Sequence, residues 1–567
     1  MARPEKVRLG EILVKQGLLS EAQLKTALEE QKTSGRKLGR VVVDTGMVTD
    51  DQISEALAKQ LAIPFINLKY YNIKPEAVRL LPEAQARRFR AIVLEDKGGS
   101  VLVGMTDPTD LAAYDEIARV TKREIELAVV NEKAVLAAID RLYRRTAEIS
   151  GLAKELTAEF GDAGVDVLGM GAAPGAEDAP VVKMLQSVFE DATQVRASDI
   201  HIEPQETMLA IRFRIDGMLH LQTEADQKIA GPLVQRLKLM SGLDISEKRL
   251  PQDGRFNVKL RNNQVDVRIS TMPTQWGESV VMRLLNQGSG LLGLDNLGFP
   301  NDMLERVRKV VHRPSGMVLV TGPTGSGKTT TLYAALSELN TQDRKIITVE
   351  DPIEYRLAGI TQVQVHEKIE LTFSRVLRSA LRQDPDVILV GEMRDQETAE
   401  TGLRAAMTGH LVLSTLHTND ALSTPIRLLD MGAPHYMVAL SLNMVLAQRL
   451  VRVICESCTK PYKLNPHERE WLRSEIGDAV DSHTYKKGDG CSHCNGTGYQ
   501  GRTGVYEMLE MTQAVTEAAN QEDPNKFLKA AREQMAGRTL RNHAAHLVVE
   551  GRTTAQEAMK ISNQFED

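Results

Sequence analysis

The stretch Gly322-Pro-Thr-Gly-Ser-Gly-Lys-Thr329 decides the fold of this chain. It matches the P-loop pattern G-x-x-x-x-G-K-[ST] at every fixed position. An apolar run at 317–321 predicts a strand before it, and residues 330–339 predict a helix after it. In this context, glycines let backbone N–H groups face phosphates at a helix N-terminus, where anions are stabilised. The sequence therefore predicts a nucleotide site in a mainly parallel α/β domain.

The phosphate loop supplies the residues expected to hold ATP and Mg²⁺. Lys328 is expected to reach the β and γ phosphates, and Thr329 is expected to ligate Mg²⁺. The alternative is a loop with only a structural role, which is rare between a strand and a helix. The predicted nucleotide-contacting residues are Gly322, Pro323, Thr324, Gly325, Ser326, Gly327, Lys328, Thr329 and Thr330.

Two carboxylates downstream end apolar, strand-like runs. Glu350 follows residues 346–349, and Glu392 follows residues 386–391. Because strand C-termini beside a P-loop open onto the ligand crevice, one acid can polarise the attacking water and the other can hold Mg²⁺. Surface acids at strand ends are the alternative. His410 and His417 flank the run 411–416 and are either structural or sensors of the γ-phosphate.

The succession of GPTGSGKT, TVEDPIE, VGEMRD and TGH…TLHTND resembles the type II secretion and type IV pilus ATPases of the GspE, PilB and PilT families. The resemblance covers about residues 180–565. It implies that Glu350 is the general base within an aspartate box and that Glu392 is the Walker B acid. It also implies that His410 and His417 form a histidine box, with His417 among the catalytic residues.

The same resemblance includes RASDIHIEP at 196–204 and RFRIDG at 212–217. It implies an ATP site between two domains of the ATPase core and a homo-hexameric ring. Arg268 and Arg283 match family positions whose guanidinium groups approach the phosphates, a role that suits the permanently charged, planar fork of arginine. The alternative for each is an exposed charge on a strand.

All four cysteines lie in two C-x-x-C pairs separated by 32 residues. Four thiolates suit tetrahedral Zn²⁺ and leave no open coordination position, so the site is predicted to be structural. The separation predicts an inserted subdomain within a module at about 452–500. Two redox or idle thiol pairs are the alternative. The resemblance agrees with zinc, because assembly and secretion ATPases carry a tetracysteine module here; the ligands are Cys455, Cys458, Cys491 and Cys494.

The first sixty residues contain a repeat with an offset of 29 residues. Each copy has an apolar segment, a glycine turn and a helix that opens with a capping-box pair, Ser20 with Gln23 and Thr49 with Gln52. On periodicity alone, a duplicated helical hairpin used only for packing also explains the repeat. The matched pairs are Arg8 and Lys37, Leu9 and Leu38, Gly10 and Gly39, Gly17 and Gly46, Leu24 and Ile53, Leu28 and Leu57, and Gln31 and Gln60.

This repeat resembles the cyclic di-GMP-binding MshEN module, in which two such motifs are separated by five residues. The resemblance implies that the arginine contacts guanine or phosphate, that the glycines allow close backbone approach, and that the leucines pack on the purine faces. Lys37 departs from the pattern because lysine lacks the bidentate fork. Residues 81–149 are most similar to the MshE subfamily, the assembly ATPases of mannose-sensitive haemagglutinin (MSHA) pili.

Composition and segmentation set the remaining expectations. A net charge of −6 disfavours a dedicated nucleic-acid binder, and no apolar run is long enough to span a bilayer. The start carries no secretory signal, so a cytoplasmic location is expected. The expected segments are an MshEN-type regulatory domain at 1–145, a flexible linker at 146–180, a second, PAS-like α/β domain at 181–292 and a RecA-like ATPase domain at 293–567.

We expect a hexameric ATPase that powers MSHA-like type IV pilus assembly under control by cyclic di-GMP. The implied partners are an inner-membrane platform protein and its associated cytoplasmic assembly proteins, which would hold the ring at the membrane. A type II secretion ATPase that drives a pseudopilus is the alternative of the same class. A slowly hydrolysing nucleotide switch and a nucleic-acid motor are alternatives of other classes.

Overall fold

The computed structural model describes residues 9–35, 38–143, 146–161, 180–260, 264–286, 292–521 and 523–562. The predicted ligand contacts Arg8 and Lys37 lie outside these residues. The repeat forms four helices, α1 (Leu9–Lys15), α2 (Glu21–Ser34), α3 (Leu38–Asp44) and α4 (Asp50–Leu61). Both predicted capping boxes are present, and Gly17 and Gly46 have matching left-handed φ angles of 71° and 70°. The duplication is therefore confirmed.

A small α/β unit follows the repeat. Its elements are α5 (Pro75–Val78), α6 (Glu83–Phe89), β1 (Ala91–Asp96), β2 (Ser100–Met105), α7 (Leu111–Thr121), β3 (Glu124–Val129) and α8 (Glu132–Leu142). The sheet order is β1-β2-β3, with β1 antiparallel and β3 parallel to β2. This unit, residues 65–143, is called the N-terminal sheet unit below.

Residues 146–161 correct the predicted linker. They form helix α9 (Thr146–Gly161), whose Ile149, Ala153 and Leu156 are buried in the core of the second domain. Ser150 Oγ of α9 also lies 3.5 Å from Thr223 Oγ1 of that domain. Only residues 144–145 therefore separate the N-terminal sheet unit from the ATPase core, and the rest of the predicted linker, 162–179, lies outside the described residues.

The second domain is one antiparallel sheet covered by helices. Its elements after α9 are α10 (Pro180–Gln194), β4 (Asp199–Pro204), β5 (Met208–Ile215), β6 (Met218–Asp226), α11 (Ala230–Ser241), β7 (Gln252–Lys259), β8 (Gln264–Thr274) and β9 (Gly277–Asn286). The strand order is β6-β5-β4-β9-β8-β7. Alternating burial along β7 and β8 is typical of a sheet with one face on the core.

The third domain carries a seven-stranded sheet in the order β12-β11-β13-β14-β10-β15-β18, parallel except for β18. Strands β10, β11, β13 and β14 are buried along their whole length, as expected for a parallel sheet covered on both faces. The predicted α/β class is confirmed. Its elements are α12 (Asn301–Val311), β10 (Gly316–Thr321), α13 (Lys328–Leu339), β11 (Ile346–Glu350), β12 (Thr361–Gln364), α14 (Phe373–Ala380), β13 (Val387–Val390), α15 (Gln396–Met407), β14 (Leu411–Leu416), α16 (Ser423–Asp430), α17 (His435–Ser441), β15 (Leu442–Ile454) and β18 (Tyr499–Glu510).

The segment between the two cysteine pairs packs onto this domain. It contains β16 (Thr459–Tyr462), α18 (Pro466–Ile476) and β17 (Tyr485–Gly488), and its Trp471 and Leu472 join the main core. The chain continues into α19 (Gln513–Asn520), α20 (Pro524–Met535), α21 (Leu540–Val549) and α22 (Ala555–Ser562). Among the described residues, no helix combines the length and apolar character needed to cross a membrane.

Candidate functional site

The phosphate loop joins β10 to α13 and is shaped by its glycines. Gly322 and Gly327 have φ angles of 141° and 90°, in the region that favours glycine. A Cβ at Gly322 would lie 2.4 Å from the Gln448 carbonyl oxygen, and one at Gly327 would lie 2.8 Å from Gln448 Nε2. The loop is therefore held closely against β15: a side chain at Gly322 would overlap the backbone, and one at Gly327 would displace the Gln448 side chain.

Lys328 begins α13 and folds back over the loop. Its Nζ donates to the carbonyl oxygens of Gly322 at 2.7 Å and Pro323 at 3.1 Å. Burial lowers the pKa of Lys328 to about 8, while the nearby Glu392 carboxylate raises it and Arg449 lowers it further. Lys328 thus lies beside Glu392 and is mostly protonated at neutral pH.

Gln448 of β15 braces the loop, with Arg449 beside it, and neither residue was predicted from the sequence. Gln448 Nε2 donates to the Ser326 carbonyl at 2.8 Å, and its Oε1 accepts from Thr331 Oγ1 at 2.7 Å. Arg449 is 4% exposed and donates to the Asn419 carbonyl at 2.8 Å. The only sequence signal was a polar pair within an apolar run, because their proximity to the loop arises from the pairing of β15 with β10.

Glu392 lies just beyond β13 at the centre of a charged cluster. His417 Nε2 lies 3.1 Å from its carboxylate, and Arg394 forms an ion pair with it. Arg394 Nη1 also lies 3.9 Å from Asp351, an acid that was not among the predicted site residues. Glu392 and His417 were both predicted site residues, and the structure brings them together.

His410 lies at the opposite end of β14 from His417. Its carbonyl accepts from the Gly316 amide at 3.1 Å, at the start of β10, and its Nδ1 lies 3.0 Å from the Ala405 carbonyl. His410 and His417 lie seven residues apart at the two ends of β14, so a rise of about 3.3 Å per residue places them roughly 23 Å apart. The expectation that both histidines form one box at the nucleotide is therefore wrong for His410.

Glu350, the predicted general base, is enclosed. Its side chain is 4% exposed and accepts hydrogen bonds from the hydroxyls of Tyr333 and Thr348 and, at 3.3 Å, from Gln362 Nε2. Burial and the hydrogen bond to Glu350 raise the pKa of Tyr333, so that hydroxyl stays protonated and donating. These hydrogen bonds join the end of β11 to α13, so the Glu350 carboxylate stabilises the packing of this strand on this helix.

Glu354, four residues further on, occupies a different environment. Its carboxylate is 28% exposed and lies 3.1 Å from Arg268 Nη2 of β8, which also donates to the Ile353 carbonyl at 2.7 Å. The second domain therefore reaches the loop 351–355 through Arg268. Arg283 instead forms its ion pair with Asp199 of its own domain at 3.1 Å and is 57% exposed. Among the contacts of the described residues, it acts on the loop only through its charge: burial raises the pKa of Tyr355, and the Arg283 charge lowers it by a smaller amount.

The four cysteines converge. All four Sγ atoms lie within 4.8 Å of one another, with Cys455–Cys491, Cys458–Cys494 and Cys491–Cys494 separations of 3.8, 3.9 and 3.8 Å. Four sulfurs about 2.3 Å from one tetrahedral ion would be roughly 3.8 Å apart. The donor set and its spacing therefore fit Zn²⁺.

The repeat helices pack the Leu-Gly pairs of their two motifs, 9–10 and 38–39, against each other. A Cβ at Gly10 would lie 2.6 Å from Leu24 Cδ1 and 3.3 Å from Leu38 Cδ2, and one at Gly39 would lie 3.3 Å from Leu9 Cδ2. Leu28 is 40% exposed, whereas its counterpart Leu57 is half-buried. Of the remaining predicted contacts, Gln31 is half-buried and Gln60 is exposed.

The phosphate loop, its paired carboxylates and the arginine from a second domain define an ATP-hydrolysing P-loop enzyme. The sequence profile of the type II/IV secretion system protein family matches residues 175–560, and that of the MshEN domain matches residues 61–149. The chain belongs to the type II/IV secretion system protein family, as the sequence analysis indicated, and it is an ATPase with an MshEN domain.

Relatives agree with this assignment. The chain is 42% identical to the type IV pilus assembly ATPase PilB of Myxococcus xanthus, over 97% of this chain and 98% of that protein. It is also 42% identical to the type II secretion system protein E of Dickeya dadantii, over 86% of this chain and 98% of that protein. The solved structure of the Legionella pneumophila ATPase DotB shares the fold, with a TM-score of 0.51 and 22% identity over 67% of this chain and 95% of that one.

Proposed function

We propose that this ATPase is a hexameric motor that powers assembly of an MSHA-like type IV pilus and that cyclic di-GMP controls it. The observation that carries the motor proposal is Arg268, which joins the second domain to the loop 351–355 of the nucleotide-binding domain. If the contacts of Arg268 change with the phosphate charge of the bound nucleotide, the angle between the two domains would change with them. Around a ring, such changes would act on an inner-membrane platform protein and its associated assembly proteins.

Each catalytic role falls to a residue with a fitting position. Lys328 and the loop amides bind the β and γ phosphates, and Thr329 and Glu392 would hold Mg²⁺, which supplies further charge neutralisation. His417 beside Glu392 would report the presence of the γ-phosphate. We assign the general base to Glu354 rather than Glu350, because its carboxylate is accessible and lies at the domain junction.

The other two ligands fit separate parts of the chain. The four thiolates would hold one Zn²⁺ that stabilises the fold. The repeat would bind cyclic di-GMP, with exposed Leu28 available to a purine face and the positive-φ turns at Gly17 and Gly46 allowing close phosphate approach. Arg8 and Lys37 would complete the two halves of this site.

Pilus assembly is favoured over secretion by the share of this chain that aligns with each relative. The alignment with PilB of Myxococcus xanthus includes nearly the whole chain, whereas that with the secretion protein of Dickeya dadantii includes 86% of it. The type II secretion role remains the alternative. A Lys328→Ala replacement in the host genome separates the two: loss of surface pili with normal protein export supports pilus assembly, and retained pili with export products trapped inside the cell supports secretion.

A further inference from the structure

The two C-x-x-C loops each present the pair of residues between their cysteines to the N-terminal sheet unit. These inner residues are Glu456 and Ser457 in the first loop and Ser492 and His493 in the second. Of these residues Glu456 is exposed, Ser457 and Ser492 are half-buried and His493 is buried. The ligating cysteines are shielded, since Cys455, Cys491 and Cys494 are at most 7% exposed. The inner residues are therefore the part of the metal site that faces the rest of the molecule.

Residues 69–72 of the N-terminal sheet unit contact all four inner residues. On the first loop, Lys69 forms an ion pair with Glu456, and the Lys69 carbonyl accepts from Ser457 Oγ. On the second loop, the Ser492 amide donates to Asn72 Oδ1 at 3.2 Å, and His493 Nε2 lies 3.3 Å from the Tyr71 carbonyl. A short segment thus contacts two loops that are far apart in sequence.

Helix α8 of the same unit adds one contact. Arg141 Nη2 lies 3.4 Å from His493 Nε2, and its Nε is buried without a hydrogen-bond partner. The contact with His493 therefore comes from two separate parts of the N-terminal sheet unit. The polar contacts of this interface include one exposed ion pair, a kind of contact that contributes little to stability, so reversal of one charge is expected to weaken docking.

The metal site also connects to the phosphate loop. Cys455 directly follows β15, the strand in which Gln448 hydrogen-bonds to the loop at Ser326 and to α13 at Thr331. The second cysteine pair precedes β18, which pairs with β15 along its length. A movement of the inner residues would therefore move the C-terminal end of β15, the strand that positions the phosphate loop.

We propose that the inner residues of the two C-x-x-C loops are the docking surface of the N-terminal sheet unit, and that metal-dependent docking there couples this unit to the nucleotide site. The metal sets the distance between the two loops, and residues 69–72 bind only when both loops have the correct spacing. The physical element shared by the two sites is β15, whose C-terminal end leads into the first C-x-x-C loop and whose middle, at Gln448, contacts the phosphate loop. This inference rests on the proposed zinc site.

The test is amide hydrogen exchange on the full-length protein, with zinc content measured in each sample. Lys69→Glu places two acids together, and we expect exchange in residues 66–72 to rise several-fold at unchanged zinc content. The double variant Lys69→Glu, Glu456→Lys restores the ion pair and should restore protection. Lys74→Glu is the matched control, because the Lys74 side chain is exposed and makes no ion pair or hydrogen bond among the contacts of the described residues.

Two further arms test the metal and the coupling. Removal of zinc from wild-type protein by a chelator should raise exchange in residues 66–72 as Lys69→Glu does. A non-hydrolysable ATP analogue should change exchange in residues 66–72 in wild type and in the charge-swapped variant, and leave it unchanged in Lys69→Glu. Exchange that is the same in wild type, Lys69→Glu and metal-free protein overturns the proposal. A protein that contains no zinc refutes the zinc site, while the charge-swap comparison still decides whether residues 69–72 dock.

Discussion

The sharpest prediction separates the two glutamates that follow β11. Glu350→Gln removes one of two acceptor oxygens from a buried carboxylate that accepts from Tyr333 and Thr348. One hydroxyl then faces an amide N–H₂ and loses its acceptor. Since hydrogen bonds to charged groups contribute about 1.5–3 kcal/mol, we expect the free energy of unfolding of the nucleotide-binding domain to fall by about 2 kcal/mol.

Glu354→Gln removes only a partly exposed ion pair with Arg268, which contributes about 1 kcal/mol or less to stability. If Glu354 is the base, this variant should lose about 100-fold or more in kcat while it still binds ATP. Glu350→Gln should keep kcat within about tenfold of wild type at a temperature where it is folded. The assays are steady-state ATP hydrolysis at saturating Mg-ATP and denaturant unfolding of the same preparations. A stable Glu350→Gln protein without hydrolysis, beside an active Glu354→Gln protein, would refute this assignment.

Three other predictions concern the ligands. Burial lowers the pKa of Lys328 to about 8, so its charge is present below that pH and is lost above it. We therefore expect the ATP affinity measured by calorimetry to fall roughly tenfold from pH 7.5 to 9. The Lys328→Arg variant keeps its charge over this range and should show little of the fall. Elemental analysis should find one Zn²⁺ per chain, with thiols that react only after chelation; freely reactive thiols in metal-free native protein would contradict the site. Full-length protein should bind cyclic di-GMP in calorimetry, with Lys32→Ala as the control variant. Arg8→Ala should weaken binding more than Lys37→Ala, because only arginine offers paired hydrogen-bond donors. Absence of heat at tens of micromolar ligand would leave the packing explanation of the repeat.

Local patterns predicted much of this structure. The capping boxes at Ser20 and Thr49 form because they require only residues three positions apart. The run at 411–416 was predicted as a strand and is β14, since a continuous apolar run suits a parallel strand buried on both faces. The four cysteines converge as the two C-x-x-C pairs predicted.

The errors came from geometry that composition does not contain. Residues 146–161 were assigned to a linker, although Ile149, Ala153 and Leu156 recur at helical spacing and are buried. His410 and His417 were predicted to form one histidine box, although they lie at opposite ends of the same strand. Gln448 could not be identified, because its contact with Ser326 joins residues 122 positions apart and depends on strand order.

The central claim is that ATP hydrolysis by this ATPase depends on a residue from the second domain. Steady-state ATP turnover by the purified oligomer tests it most directly, with Arg268→Ala compared with Arg283→Ala. We expect wild type to complete many cycles per minute, and Arg268→Ala to lose at least about tenfold in kcat because it removes positive charge from the domain junction. Arg283→Ala, whose side chain pairs with Asp199 within its own domain, should lose less. Unchanged kcat in folded, oligomeric Arg268→Ala would contradict the claim, and so would a wild-type protein that hardly turns over.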